Sequence, residues 1–276
     1  TGVVFNYGDL TITGGTFTQS DKSAPYGQAQ VIHTDNKSGS SAPSTVITGG
    51  TFKNLCTRST AWVVRATNAA AGATKVSGGT FNKSISDDYC ADGFIPTKNA
   101  DGTYGVKAGK YVAQIGTKYY ETLADAMRLA AKGKTITLLD NVTENVEITA
   151  NKNLTLDLNG FTLNGGTGTA KAALYNLGTI TIRDSSAAQT GTIKRDDAGI
   201  EGETSYYVIR NQGTMTIESG NVINNSGYRK VNSTGSMVGS SLICNGDCDE
   251  GGTLTIKGGT FTQNNFIAIK NGVLGV

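Results

Sequence analysis

The chain has 276 residues, of which 17% are charged, with a formal net charge of +2, 37 glycines and 3 prolines. That length suits one large or two ordinary domains with a sizeable core. The thin scatter of Lys and Arg excludes a phosphate-tracking nucleic-acid surface, and no apolar run is long enough for membrane insertion.

In chain order, the first signal is GDLTITGGTF at 8–17, which returns as STVITGGTF at 44–52, TKVSGGTF at 74–81 and GTLTIKGGTF at 252–261. The apolar residue before each glycine pair gives the period: Ile12 to Ile47 is 35 residues and Ile47 to Val76 is 29. Further on, Ile182 to Ile217 is 35 and Ile217 to Ile256 is 39, with Glu218-Ser219-Gly220 in place of the pair. Self-similarity at this period signals a solenoid. Within LTI the Leu and Ile point one way and the Thr the other, as in a strand. Glycine at the corner permits positive φ. Phe17, Phe52, Phe81 and Phe261 are expected to stack as an internal column.

A second signal precedes the first. Asn6-Tyr7-Gly8, Asn176-Leu177-Gly178 and Asn211-Gln212-Gly213 open successive coils, and Asn245 and Asn271 begin two more. Asn bonds neighbouring backbone and tolerates left-handed φ, so Asn6, Asn176 and Asn211 are expected to form a corner ladder. Each coil leaves its edges unpaired and the next coil satisfies them. The fold class is therefore all-β, a parallel β-helix, right-handed by the usual parallel crossover.

Residues 89–106, YCADGFIPTKNADGTYGV, carry Asp101-Gly102 as a tight hairpin turn and read as the end cap of a first solenoid. Residues 122–133 read instead as a helix. Thr122 is its N-cap, Asp125 sits at the capping-box position, and Leu123, Ala126, Met127 and Ala130 form one apolar face. Gly133 is the expected C-cap. The division expected is 1–109, the later part of one β-helix with its end cap, and 110–276, the start of a second with a helical cap. Coils look incomplete at both ends, so the chain is expected to be a piece of a longer tandem array rather than an intracellular protein.

Two stretches carry a resemblance. Residues 111–165, YVAQIGTKYYETLADAMRLAAKGKTITLLDNVTENVEITANKNLTLDLNGFTLNG, together with the GGTF coils and the 89–106 ending, resemble large surface proteins of gut-dwelling Gram-positive bacteria. The resemblance implies a pectate-lyase-like β-helix in a secreted, wall-associated protein of adhesin type, extracellular and displayed at the bacterial surface. It implies a host glycoprotein, glycan, mucin or immunoglobulin as partner.

Several clusters carry residue types that could do chemistry. His33-Thr34-Asp35 has a fragment of the look of pectin-cutting hydrolases, but no GHG or RIK sequence follows, and His33 reads as a loop or groove residue. Arg195-Asp196-Asp197 offers the base and carboxylates a lyase needs, yet reads as a solvated turn. Asp247, Asp249 and Glu250 surround Cys248 without the spacing of an EF-hand loop, so no metal and no cofactor are expected. Cys56, Cys90, Cys244 and Cys248 contain no CxxC pair; a Cys56–Cys90 bridge, a Cys244–Cys248 loop and free thiols all stay open.

Insertions supply the binding candidates. Residues 18–30 carry Tyr26, residues 195–207 carry Tyr206 and Tyr207, and residues 224–240 carry Tyr228, Arg229 and Lys230. Each follows an equivalent strand, and insertions at one coil position project from one face. Tyr26, Tyr206, Tyr207, Tyr228 and Arg229 are therefore the expected binding residues. The function expected is non-catalytic binding of a host macromolecule. The alternatives are a lyase or hydrolase of acidic glycans in a groove, and a purely structural stalk.

Overall fold

The computed structural model describes residues 2–23, 29–37, 42–165, 171–196, 205–226, 229–246, 251–264 and 266–272. It resolves into two compact units, Thr1–Lys110 and Tyr111–Val276. Each is a parallel β-helix in which every coil contributes one strand to each of three sheets.

In the first unit the first sheet is Asp9–Ile12, Ser44–Ile47 and Thr74–Val76; the second is built on Thr16–Gln19, Thr51–Asn54 and Thr80–Phe81; the third is Val4–Asn6, Gln30–Asp35 and Trp62–Thr67. The register follows the sequence repeat. Ile12 pairs with Ile47 and Ile47 with Val76, while Phe17 pairs with Phe52 and Phe52 with Phe81. The three rings stack at 5.2 Å and 4.9 Å between centroids, with interplanar angles of 6° and 12°. Phe261 is not part of this column. It lies in the second unit, in register with Val222.

The two glycines of GGTF serve two different needs. A Cβ on Gly49 would lie 2.5 Å from the Thr13 carbonyl oxygen of the coil below, so Gly49 admits no side chain as the coils stand. Gly50 has φ +110°, which L side chains rarely adopt. Where Ser219 stands at the first position, its hydroxyl accepts the Asp184 N–H at 2.8 Å.

The second unit repeats the plan over more coils. Ile136, Leu156, Ile182, Ile217 and Ile256 follow one another in register through the first sheet. In the third sheet Asn176, Asn211, Asn245 and Asn271 form a ladder. Each Nδ2 donates to the next Oδ1 at 2.7 Å. Amides can do this because each offers both a donor and an acceptor, so no member is left unpaired by its neighbour. Asn6 does not belong to it. In the first unit its register partner is Thr34, and its amide donates to the Ser44 carbonyl at 2.7 Å and to Thr45 Oγ1 at 2.9 Å. Threonine hydroxyls replace the ladder there, with Thr34 Oγ1 at 2.6 Å and 2.8 Å from Thr45 and Thr74.

Between the first and second sheets of the second unit the corner is held by carboxylates. Asp184 accepts the N–H groups of Gly160, Ser186 and Gly191 at 2.9, 3.0 and 2.6 Å. Burial opposes its ionisation, but these backbone donors outweigh it and hold the carboxyl below the ordinary range.

Both units cover a sheet edge with an antiparallel hairpin. Phe94–Lys98 and Tyr104–Ala108 lie against the last coil of the first unit through Tyr104 and Phe81. Ala113–Ile115 and Lys118–Tyr120 lie against the first strand of the second unit through Ala113 and Leu138. The helix spans Leu123–Leu129 and buries Leu123, Ala126 and Met127 in the core of the second unit. Thr122 Oγ1 accepts the Asp125 N–H at 3.1 Å. The solenoid finishes the capping. The Glu144 carboxylate accepts the N–H groups of Leu123 and Ala124 at 3.0 and 2.9 Å, and Lys152 Nζ donates to the carbonyls of Arg128 and Ala130, both at 2.7 Å. Opposite charges thus sit at the two ends as the helix dipole prefers. The C-cap is Ala130, not Gly133. Gly133 donates its N–H to the Asn153 carbonyl at 2.7 Å and belongs to the turn into the first coil.

Cys56, Cys90 and Cys244 are free thiols, so the Cys56–Cys90 bridge is not formed. Cys56 packs with Ala29 and Ala61. Cys248 lies outside the described residues.

Candidate functional site

The third sheet of the second unit positions a lateral cavity. Its strands Val146–Ile148, Leu174–Asn176 and Tyr206–Asn211 are consecutive neighbours. Strand alternation turns Glu147, Tyr175 and Arg210 outward, and the register sets them in one row. Neighbouring strands lie about 4.8 Å apart, so the row spans about 10 Å. The cavity has a volume of about 370 Å³, and its walls include Asn145, Glu147, Lys171, Tyr175, Tyr207 and Arg210. That is within the usual range of ligand pockets, about 300–1,000 Å³.

Its side chains are held in place. The Arg210 guanidinium lies over the Tyr175 ring, 5.3 Å from its centroid. The Tyr175 hydroxyl donates to Gln212 Oε1. Asn145 Nδ2 donates to the carbonyls of Lys171 and Ala172 at 3.2 and 3.0 Å. Burial, with Cys244 beside it, pushes the Tyr207 phenol up, so the hydroxyl stays a donor at neutral pH. Among the described residues the lining presents two cations, one carboxylate and two phenol rings. Glu147 is the carboxylate that the described residues bring to this lining.

The five expected binding residues separate. Tyr207 lines the cavity. Tyr206 does not join an exposed aromatic patch. It is 3% exposed, because its neighbour Tyr207 takes the outer face of the strand. Its ring packs on Arg195, whose guanidinium carbon is 5.4 Å from the ring centroid. Arg229 is exposed in the strand Arg229–Val231, which pairs antiparallel with the strand Met237–Asn245, and it is not among the residues lining the cavity. Tyr26 and Tyr228 lie outside the described residues. Tyr175, Arg210, Lys171 and Glu147 join the site without belonging to any motif of the sequence.

The Arg195, His33 and acidic clusters resolve differently. Arg195 is not in a solvated turn. It is 0% exposed, and its Nη1 donates to the Lys171 carbonyl at 3.0 Å. A buried guanidinium needs such acceptors and ring contacts to offset desolvation. Asp196 pairs with Lys194 at 2.6 Å and accepts from Asn225 at 2.6 Å. His33 sits within the strand Gln30–Asp35 and is buried, with Nδ1 3.1 Å from Gln30 Nε2 and Nε2 2.7 Å from Thr67 Oγ1. Desolvation lowers its pKa, against the opposing pull of Asp35, and favours the neutral ring. Asp197, Asp247, Asp249 and Glu250 lie outside the described residues. Among the described residues no three His, Cys, Asp or Glu groups are placed to hold a metal ion, and no helix is long and apolar enough to cross a membrane.

Stacked parallel sheets with a lateral cavity define the class: a β-solenoid of the parallel β-helix type. No family model, curated protein or solved structure matches the chain.

Proposed function

We propose that this chain is a non-catalytic binding segment of an extracellular bacterial surface protein, and that its solenoid holds a lateral cavity toward a host macromolecule such as a glycoprotein, mucin or immunoglobulin. One observation carries the reading. Tyr175, Tyr207 and Arg210 converge on one cavity from successive coils, with Lys171 beside them. Aromatic rings and arginine dominate binding hot spots because they offer large contact area, a charge and little rotamer entropy to lose. The resemblance of residues 89–106 and 111–165 to surface proteins of gut Gram-positive bacteria supports the location. The competing reading is a carbohydrate-active enzyme. A panel of mucins, glycoproteins and immunoglobulins should give saturable binding to the immobilised chain, with no shortening of acidic polysaccharides on long incubation. Polysaccharide cleavage that disappears in Glu147→Gln would replace the binding reading with the enzymatic one.

A further inference from the structure

The cap of the second unit holds a cavity of its own. Its volume is about 330 Å³, and it lies where the hairpin of Ala113–Ile115 and Lys118–Tyr120, the end of the helix and the strand Lys134–Leu138 meet. Ile115, Tyr120, Leu129, Ala130 and Ala131 give it apolar walls, and Lys118 and Lys134 stand in the same lining. Register explains how two lysines reach an apolar cavity. Directly paired residues share a face of a sheet, and so do residues two apart along a strand. Lys118 pairs with Ile115 and Tyr120 with Ala113, and Ala113 pairs in turn with Leu138. Lys134 stands on the Ile136 and Leu138 side of its own strand. Both lysines therefore occupy the face on which Ala113, Ile136 and Leu138 are fully buried. Residues 42–165 are described without a break, and among the described residues this lining contains no carboxylate. Neither lysine side chain has a hydrogen-bond or ion-pair partner among them. The negative end of the helix is already met by Lys152, which takes the carbonyls of Arg128 and Ala130. Leu129 keeps 55% of its surface exposed at this place, apolar area that a ligand would remove from water.

We infer that this cavity binds a small aryl carboxylate. The ring lies against Ile115, Tyr120 and Leu129, and the two carboxylate oxygens accept from Lys118 and Lys134. The volume is at the lower end of the range for ligand pockets, about 300–1,000 Å³, and suits a compact body. The Tyr120 ring favours an aromatic one, since ring pairs gain beyond area burial. An inorganic anion would leave the apolar walls wet. The site shares no lining residue with the lateral cavity, so it stands or falls independently of the proposed function. Lysines on the inner face also deter a sheet edge from pairing with another chain, and Lys118 lies on the edge strand of its sheet. That role needs no ligand, and the two readings part in the experiment.

The full chain is titrated calorimetrically with 3-phenylpropionate, 2-naphthylacetate and indole-3-acetate, each paired with its methyl ester, and with inorganic phosphate. At least one acid is expected to bind one-to-one with a Kd below about 1 mM, with its ester and phosphate about tenfold weaker or worse. Lys118→Gln and Lys134→Gln should each weaken the acid about tenfold, and Leu129→Gln, which removes an apolar wall, should do the same, all with the melting temperature unchanged. Lys132→Gln, an exposed lysine outside the lining, should leave the affinity as it is, and Tyr207→Ala in the lateral cavity should too. No saturable binding by any acid below about 1 mM, equal binding of acid and ester, or equal losses in Lys132→Gln and Lys118→Gln would overturn the inference. So would variants at Lys118 and Lys134 that self-associate in sedimentation velocity while their response to the acids matches wild type, since edge protection would then account for both lysines.

Discussion

Replacing Phe52 by Ala perturbs the first unit at its centre. Phe52 is 0% exposed and is stacked on both faces, by Phe17 at 5.2 Å and Phe81 at 4.9 Å. Emptying a core phenylalanine site costs about 3–5 kcal/mol. Two ring pairs are lost as well, each worth about 0.5–1.5 kcal/mol beyond area burial. Stacked coils relax little, because Phe17 and Phe81 are held by their own strand pairings. The expected loss is therefore at the upper end, about 4–5 kcal/mol. That is a large share of a domain stability of about 5–15 kcal/mol. Urea unfolding followed by Trp62 fluorescence isolates the first unit. Phe52→Leu, which keeps most of the volume, should cost about 1 kcal/mol. A Phe52→Ala loss below about 1 kcal/mol, or equal losses for Ala and Leu, would show that the stacked column does not support the coil.

Asn211 is an internal rung of the amide ladder, accepting from Asn176 and donating to Asn245 and the Thr253 carbonyl. Asn211→Ala leaves buried amides unpaired and should lower second-unit stability by about 3 kcal/mol in urea unfolding, whereas a loss under 1 kcal/mol would mean the ladder is incidental. Glu144→Ala removes the carboxylate that caps Leu123 and Ala124 and should cost about 1–2 kcal/mol, read as a lower melting temperature; unchanged melting would remove Glu144 from the capping role. Asp184 has its folded pKa held below the ordinary value of 3.8, so its contribution is fully present above that value and is lost as pH falls below it and through the lower folded pKa. The stability gap between wild type and Asp184→Asn should be widest near pH 7 and shrink below about pH 4, and a gap constant from pH 7 to pH 3 would contradict the assignment.

The coil repeat was readable because a solenoid places equivalent residues in the same environment at each turn. Ile12, Ile47 and Val76 face the same core, and Asn176, Asn211 and Asn245 face one another. The glycine pair was half readable, since positive φ at Gly50 is a local property while the approach of Thr13 to Gly49 comes from another coil. Tyr206 and Tyr207 could not be told apart, because Val208 and Ile209 both turn inward and break the alternation that would assign their faces. The cavity was hidden for a related reason. Glu147, Tyr175 and Arg210 come from three coils, one residue each, and only the register brings them into a row.

The most direct measurement is the affinity of the full chain for its captured glycoprotein in a Tyr207→Ala, Arg210→Ala double variant, compared with wild type and with Arg229→Ala. The double variant should keep its melting temperature and lose at least tenfold in affinity, about 1.4 kcal/mol, while Arg229→Ala changes little. Undiminished affinity in a folded double variant would contradict the assignment of the lateral cavity as the binding site.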